Sequence, residues 1–574
     1  MEYKQTWNLD QVLHGSGSSY EKIEVKLDAL LDRIKKLPLT LPEIFSPFQK
    51  LLEEIHEAGS LIACLTSTDI SDTRATKAEA QYHSISATFE GASQKIDALL
   101  LALTDKEFDE LLKKEGAIAF SLMESRRLAK EKMSLEKELL VTELSTSGHS
   151  AYTTLYYSFM GNLTFPLGDK VLNLSKLEKL FSHADRSIRK EAFESMETEL
   201  SKHEAIFAQI LNNIVDFRLT LYKERKWDSY LHETLANNRI DEKTLTTMWD
   251  VVSKNKAPLV KYLKHKAKLL GLKKLSWCDI DAPLGSLEES KIPWEAGCKN
   301  IIEQFRKVSP KMAAFAEKAL KEGWVHAQPG DKKRAGGFCT GVPLLKESRI
   351  QMTYTDTFDS QSTLAHELGH AFHSHVLYDK PPLLQSYPMN IAEAASTMCE
   401  MIVADSALKA ATSPKQKLLL LDDKITSYLA FNMNIHSRFL FESSFHEKRK
   451  EGYITPDQIN ELMVEAQKNS YANSLESYLP HFWAYKMHFY FTDATFYNWP
   501  YTFGYLFSLG TYNILLNDDF ENRYISLLKD SGSMNIEDLA KKHLGVDLHE
   551  PDFWQGAIDL LNANIEEFIK IPSL

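Results

Sequence analysis

Two histidines one helical turn apart, with a glutamate after the first, are the residues of this chain best suited to chemistry. They lie in Ser360-Gln361-Ser362-Thr363-Leu364-Ala365-His366-Glu367-Leu368-Gly369-His370-Ala371-Phe372-His373, which contains the pattern His-Glu-x-x-His. On a helix, residues four apart share a face, so His366 and His370 can reach one ion together. Neutral imidazoles suit Zn²⁺, and Glu367 between them is placed to act as general base on a water. The five-residue pattern arises by chance about once in twenty chains of this length and composition. A third ligand is therefore required.

One known extension of the motif places a third His at the tenth position after the first. Here that position holds Val376, which excludes the metzincin arrangement. The other solution takes a glutamate from a second helix. Asn390-Ile391-Ala392-Glu393-Ala394-Ala395-Ser396-Thr397-Met398-Cys399-Glu400 reads as such a helix. Glu393 is flanked by alanines that let two helices approach closely, and it is the expected third ligand. Glu400, two turns on along the same face, is expected to accept a hydrogen bond from a ligand histidine. His373 points the same way one turn farther and reads as a structural or channel-lining histidine. A fourth protein ligand would close the open position that catalysis requires.

The elements that must position these groups follow from periodicity and breakers. The motif helix is predicted over about 361–376, with Asp359 or Ser360 as its N-cap, and Pro381, Pro382 and Pro388 mark the connection 377–389. Helical spacing also runs through about 21–37, 45–66, 78–140, 243–271, 295–322, 390–450 and 456–469. Ile206, Ile210, Ile214, Phe217 and Leu221 trace one face of a long helix. Ser145 to Ser150 reads as a linker, and 272–294 as an irregular zone. Gly336-Gly337-Phe338-Cys339-Thr340-Gly341, followed by alternating Ile350, Met352 and Tyr354, predicts a short strand or hairpin in an otherwise helical chain. An aromatic block runs from His488 to Tyr505. Phe491, Phe496 and Phe503 read as core, whereas Tyr497 and Tyr505, the latter after Gly504, are candidate donors to an oxyanion. The basic run Lys261 to Lys274 reads as a solvated helix face.

Composition bounds the rest. At 574 residues with 44% hydrophobic and 25% charged residues, the chain is globular and large enough for three or four domains. Only 23 glycines argue against a turn-rich all-β fold, and a net charge of −12 argues against a nucleic-acid binder. The first residues lack a secretory pattern, and apolar stretches are interrupted by charge too often to span a membrane. Cys64, Cys278, Cys298, Cys339 and Cys399 form no CxxC pair and read as reduced thiols, which suits a cytoplasmic location.

Taken with Trp7-Asn8-Leu9, Tyr156–Leu163 and the Gly-rich loop at 336–341, the motifs give a chain that resembles the oligoendopeptidase F branch of the thimet-oligopeptidase-like zinc peptidases. The resemblance covers nearly the full chain. It implies a mainly α, multi-helical, two-lobed body around a deep channel, with a small β element beside the active-site helix. It implies one Zn²⁺ held by His366, His370 and Glu393, Glu367 as general base, and Tyr505, Tyr497 and His488 as transition-state residues, with Tyr501 the alternative to Tyr497. Gly336, Gly337, Met352, Tyr354 and Tyr501 are the residues it places against substrate. The corresponding division is an N-terminal helical segment (1–145), a connecting part (150–200) and a catalytic domain (201–574). The implied activity is cleavage of internal bonds in short oligopeptides, without nucleic acid, membrane or an obligate protein partner. Two alternatives stand beside it: an exopeptidase of the same superfamily, and a non-catalytic helical peptide-binding protein with structural zinc.

Overall fold

Capping residues, more than gaps in hydrophobic spacing, decide where the helices stop. The computed structural model describes residues 2–13, 18–285, 291–516 and 519–572. Within them the mainly α class with a small β element is as expected. The elements that bear on function are, in chain order, helices α1 (Ser19–Lys35), α2 (Phe45–Thr68), α3 (Thr73–Ala102) and α4 (Arg186–Arg225), and strands β1 (Val325–His326), β2 (Phe338–Val342) and β3 (Glu347–Gln351). Helices α5 (Phe358–Leu377), α6 (Met389–Ala410), α7 (Ile435–Arg449) and α8 (Trp499–Leu515) follow.

Several long periodic stretches are broken where a cap sits inside the pattern. The stretch 78–140 is four helices, with Thr104 capping the second through a reciprocal bond with Glu107. Asn255 splits 243–271, and Ser309 before Pro310 splits 295–322. Short polar caps do not disturb hydrophobic spacing, which is why periodicity alone runs through them. The linker expected at 145–150 shrinks to Gly148 between two helices. Of the basic run, Lys261, Lys264 and Lys268 are exposed as expected, whereas Lys266 is buried against Asp422 at 3.1 Å.

The chain forms two compact units, neither continuous in sequence. The first gathers Met1–Lys130, Ser290–Ser406 and Thr511–Gly545; the second gathers Glu131–Glu289, Ala407–Gly510 and Val546–Leu574. In the first, Ile23, Leu27 and Leu30 of α1 pack with Phe48 and Leu51 of α2 and Phe89 of α3. Val342 at the end of β2 joins this core, so the sheet is anchored on the helices. The sheet order is β1-β3-β2, with β1 parallel and β2 antiparallel to the central β3. Phe338 opposes Gln351 and Val342 opposes Glu347.

In the second unit, α4 and α7 hold the irregular segment before α8. Buried Arg218 donates from Nη2 to the carbonyls of Phe491 (2.5 Å) and Ala494 (3.0 Å). Glu442, also buried, accepts the backbone N–H of Phe496 at 3.2 Å. Phe496 has φ of 51°, a left-handed conformation costly for a bulky residue, so these bonds hold a strained turn beside Tyr497. Burial pushes the Glu442 carboxyl up to about 7, with Arg218 opposing that rise.

His436 and His446 of α7 are 3% and 1% exposed, and burial pushes both down to about 3. Unfolded, each titrates near 6.5. Between about 6.5 and 3 the unfolded chain therefore binds protons that the folded chain does not, and stability falls as pH drops through that window. Each group contributes up to about 1.4 kcal/mol per pH unit. His436→Phe, which keeps a ring stacked on Trp249, is expected to lose unfolding free energy less steeply than wild type in urea melts between pH 6.5 and 5. Identical slopes would contradict this.

Candidate active site

Thr357 opens α5 by accepting the backbone N–H of Ser360, two residues before the earlier of the expected caps. The Ser360 hydroxyl instead bonds within the turn, to Thr355 and Thr357. From there Leu364, Leu368, Ala371 and Phe372 are buried, and this registers His366 and His370 together on another face. α6 follows Pro388, whose carbonyl accepts from Ile391 and Ala392, and buries Ile391, Ala394, Ala395 and Met398.

The two helices meet at Gly369. A Cβ there would lie 2.6 Å from the Ala395 carbonyl oxygen and 2.7 Å from the Ser396 Cα, so only glycine permits the contact. The approach carries Glu393 to the histidines. The Nε2 atoms of His366 and His370 are 3.1 Å apart, and Glu393 Oε2 is 3.5 Å from the first and 3.7 Å from the second. Ser396 steadies the same oxygen at 3.1 Å. A four-coordinate zinc with bonds near 2.0–2.1 Å separates its ligand atoms by about 3.3–3.4 Å. The donor set therefore fits a zinc ion, and two imidazole nitrogens facing each other at 3.1 Å suit a cation between them.

Glu400 Oε1 lies 2.7 Å from His366 Nδ1, which leaves Nε2 of that ring directed at the other donors. Burial disfavours charge on His366, but Glu400, with Glu393 and Glu367, outweighs it and pushes the group up to about 9. Burial pushes His370 the other way, down to about 3. Glu367 is 5% exposed, and burial pushes its carboxyl up to about 7. Its Oε2 has no hydrogen-bond partner among the described residues. Its Oε1 faces Gly337, where a Cβ would stand only 2.9 Å away. Gly336 beside it has φ of 89°. His373 is fully buried, bonded to the Ser531 hydroxyl at 2.9 Å and stacked on Tyr387, and does not join the donor triad.

Two residues expected against substrate are placed otherwise. Met352 and Tyr354 are buried, and their backbone N–H groups are taken by His326 and Ala327. The Tyr354 hydroxyl donates to the Ile292 carbonyl at 3.0 Å. Their alternation reported burial along the line of the central strand, not exposure at a free edge. β2 is an edge strand of the sheet, exposed at Gly337 just before it and covered at Gly341, whose carbonyl accepts from Ser60.

In the second unit His488 and Tyr497 stack at 5.3 Å, and the hydroxyls of Tyr497 and Tyr501 are 3.4 Å apart. Tyr505 is 6% exposed, stacked on Phe431 at 4.4 Å. Phe431 lies in a π-helical turn (Ala430–Asn434) whose carbonyl at Phe431 accepts from Thr502. Phe496 and Phe503 are core as expected, and Phe491 is half-buried. The role of Gly369 went unread in the sequence. A glycine inside a helix costs up to about 1 kcal/mol relative to alanine, and that cost is itself the signal of a close approach.

The chain is similar to known proteins over most of its length. The model of peptidase family M3 matches residues 179–560, and an oligopeptidase F model matches residues 100–165. An oligoendopeptidase F homolog of Borreliella burgdorferi is 24% identical over 99% of this chain and 96% of its own. One from Lactococcus lactis is 25% identical over 70% of this chain and 67% of its own. Among solved structures, a putative peptidase from Chlamydophila abortus shares the fold with a TM-score of 0.85 at 20% identity, covering 99% of this chain and 98% of that one. The oligoendopeptidase-F of Enterococcus faecium has a TM-score of 0.69 at 19% identity over 96% and 98%.

Removing the Glu400 carboxylate leaves His366 without its orienting partner. Glu400→Ala is expected to weaken zinc affinity about 10–100-fold in a chelator competition titration, and Gly369→Val to weaken it by at least as much. Wild-type affinity in both variants would refute the arrangement.

Proposed function

The chain belongs to peptidase family M3, and from that premise we propose that it is a zinc-dependent endopeptidase cutting internal bonds of short oligopeptides. The observation that carries the reading is the convergence of His366, His370 and Glu393 beside a buried carboxylate, Glu367, with one oxygen unpartnered. A zinc ion in such a triad acts as a Lewis acid, polarising a carbonyl and making water a better nucleophile.

The chain's own groups do the rest. Glu367 Oε2 takes a proton from the attacking water and later hands it to the leaving amine. Its high pKa suits that exchange, because a base near neutrality both accepts and returns the proton. Glu400 holds His366 in the tautomer that directs Nε2 at the site. The outer edge of β2, starting at Gly337, is the proposed seat of the substrate backbone, with Gly336 and Gly337 leaving room for it. Tyr505, with His488 and either Tyr497 or Tyr501, is the proposed donor to the oxyanion. The family resemblance supports these last roles. No helix among the described residues is long and apolar enough to cross a membrane. All five cysteines are free, which fits the reducing cytoplasm proposed as its location.

Glu367→Gln is expected to lower kcat by about 10²–10⁴-fold while zinc content by plasma emission stays near that of wild type. Full activity would sink the assignment. Tyr505→Phe is expected to cost about 10²–10³-fold in kcat with KM little changed. Wild-type protein is expected to cleave peptides blocked at both ends and to lose that activity to a chelator. Cleavage only of peptides with a free C-terminus would establish an exopeptidase instead.

A further inference from the structure

The first unit contains a cavity of about 500 Å³ that the mechanism above does not use. It lies between α2, the outer side of β2, the C-terminal end of α5 and the segment 382–387. We infer that this cavity is a substrate subsite, taking an apolar side chain, preferably aromatic, three to five residues from the scissile bond. The inference rests on the peptidase reading of the α5 site.

Gly337, just before β2, faces Glu367, and Gly341 near its end faces Tyr378. Four strand residues span about 13 Å. The eleven helical steps from Glu367 to Tyr378 span about 16 Å. The strand and α5 therefore run side by side in the same direction, away from the general base, and the cavity opens at the far end. A peptide paired with β2 beside Gly337 and Cys339 advances at the same rate as the strand, so its residue level with Gly341, where Ser60 of α2 takes the strand carbonyl and pairing ends, is four positions from the one opposite Gly337.

The edge itself points there. The Gly341 carbonyl turns away from β3 and accepts from the Ser60 hydroxyl at 2.6 Å. By the two-residue alternation of a strand, the backbone groups of Cys339 and Gly337 face the same outer side. Cys339 lines the cavity, so the edge beside Glu367 and the cavity wall are one continuous surface.

The lining states the ligand. Leu52, Tyr82, Tyr378 and Tyr387 present apolar and aromatic walls, the setting in which a large apolar side chain loses most water. The ring of His56 faces the same space, 3.8 Å from where a Gly341 Cβ would stand. Two glycines keep the walls where they are: a Cβ on Gly341 would strike the Tyr378 hydroxyl at 2.8 Å, and one on Gly59 would strike the Tyr82 hydroxyl.

The test uses the zinc-loaded full-length protein and a nine-residue peptide blocked at both ends. In separate peptides Phe or Ala is placed at each position in turn, and cleavage sites are read by mass spectrometry. One position three to five residues from the cut bond is expected to favour Phe over Ala by at least about tenfold in kcat/KM. His56→Trp, which fills the cavity, is expected to bring that ratio near one, and Tyr82→Ala, which widens it, to shift the preference toward Trp. Cleavage with no Phe preference beyond two residues from the bond would overturn the subsite, as would a ratio unchanged in both variants. Absence of cleavage of every peptide by wild-type protein would instead count against the peptidase reading itself.

Discussion

The contact of α5 with α6 at Gly369 is the constraint on which the site depends. A helix crossing normally keeps the two axes about 8–10 Å apart, with side chains between them. Here one partner has no side chain at the crossing, and the Gly369 Cα sits against the backbone of Ala395 and Ser396. That shortens the distance a glutamate must reach, and Glu393 arrives within 3.7 Å of both histidine nitrogens. The cost of a glycine in the middle of α5 is offset by the apolar packing of Leu364, Leu368 and Phe372 on either side.

Electrostatics then favours a cation over any neutral filling. Glu367, Glu393 and the partly exposed Glu400 stand close together, and burial raises the carboxyls of Glu367 and Glu393. Like charges held together in a low-dielectric site cannot all ionise without a counter-charge. Either a protonated His366, raised to about 9, supplies it, or a divalent ion bound by the triad does so with that ring neutral. The same crowding separates the roles of the carboxylates. Glu393 is directed at both histidines, Glu400 at the far nitrogen of one, and Glu367 is left with a free oxygen.

Much of this was legible in the sequence because it is local. Four-residue spacing on a helix puts His366 and His370 together with no knowledge of the fold, and the proline-marked connection 377–389 allows α6 to return. Seven-residue spacing likewise placed Glu400 two turns from Glu393. What was not legible depends on edges and caps. Alternation identified the hairpin, but it cannot distinguish a central strand from an edge strand, and so Met352 and Tyr354 were expected against substrate when they are core. Thr357 outcompetes Asp359 and Ser360 as cap because the preceding turn already engages Ser360. The strained turn at Phe496 is set by Arg218 and Glu442, residues 278 and 54 positions away, and no local pattern reveals it.

Anomalous scattering at the zinc edge from crystals of the loaded wild-type protein tests the central claim most directly. One strong peak per chain is expected, within about 2.0–2.2 Å of His366 Nε2, His370 Nε2 and a Glu393 oxygen, with Glu367 and Glu400 outside bonding distance. A peak elsewhere, or one ligated by Glu367, would contradict it.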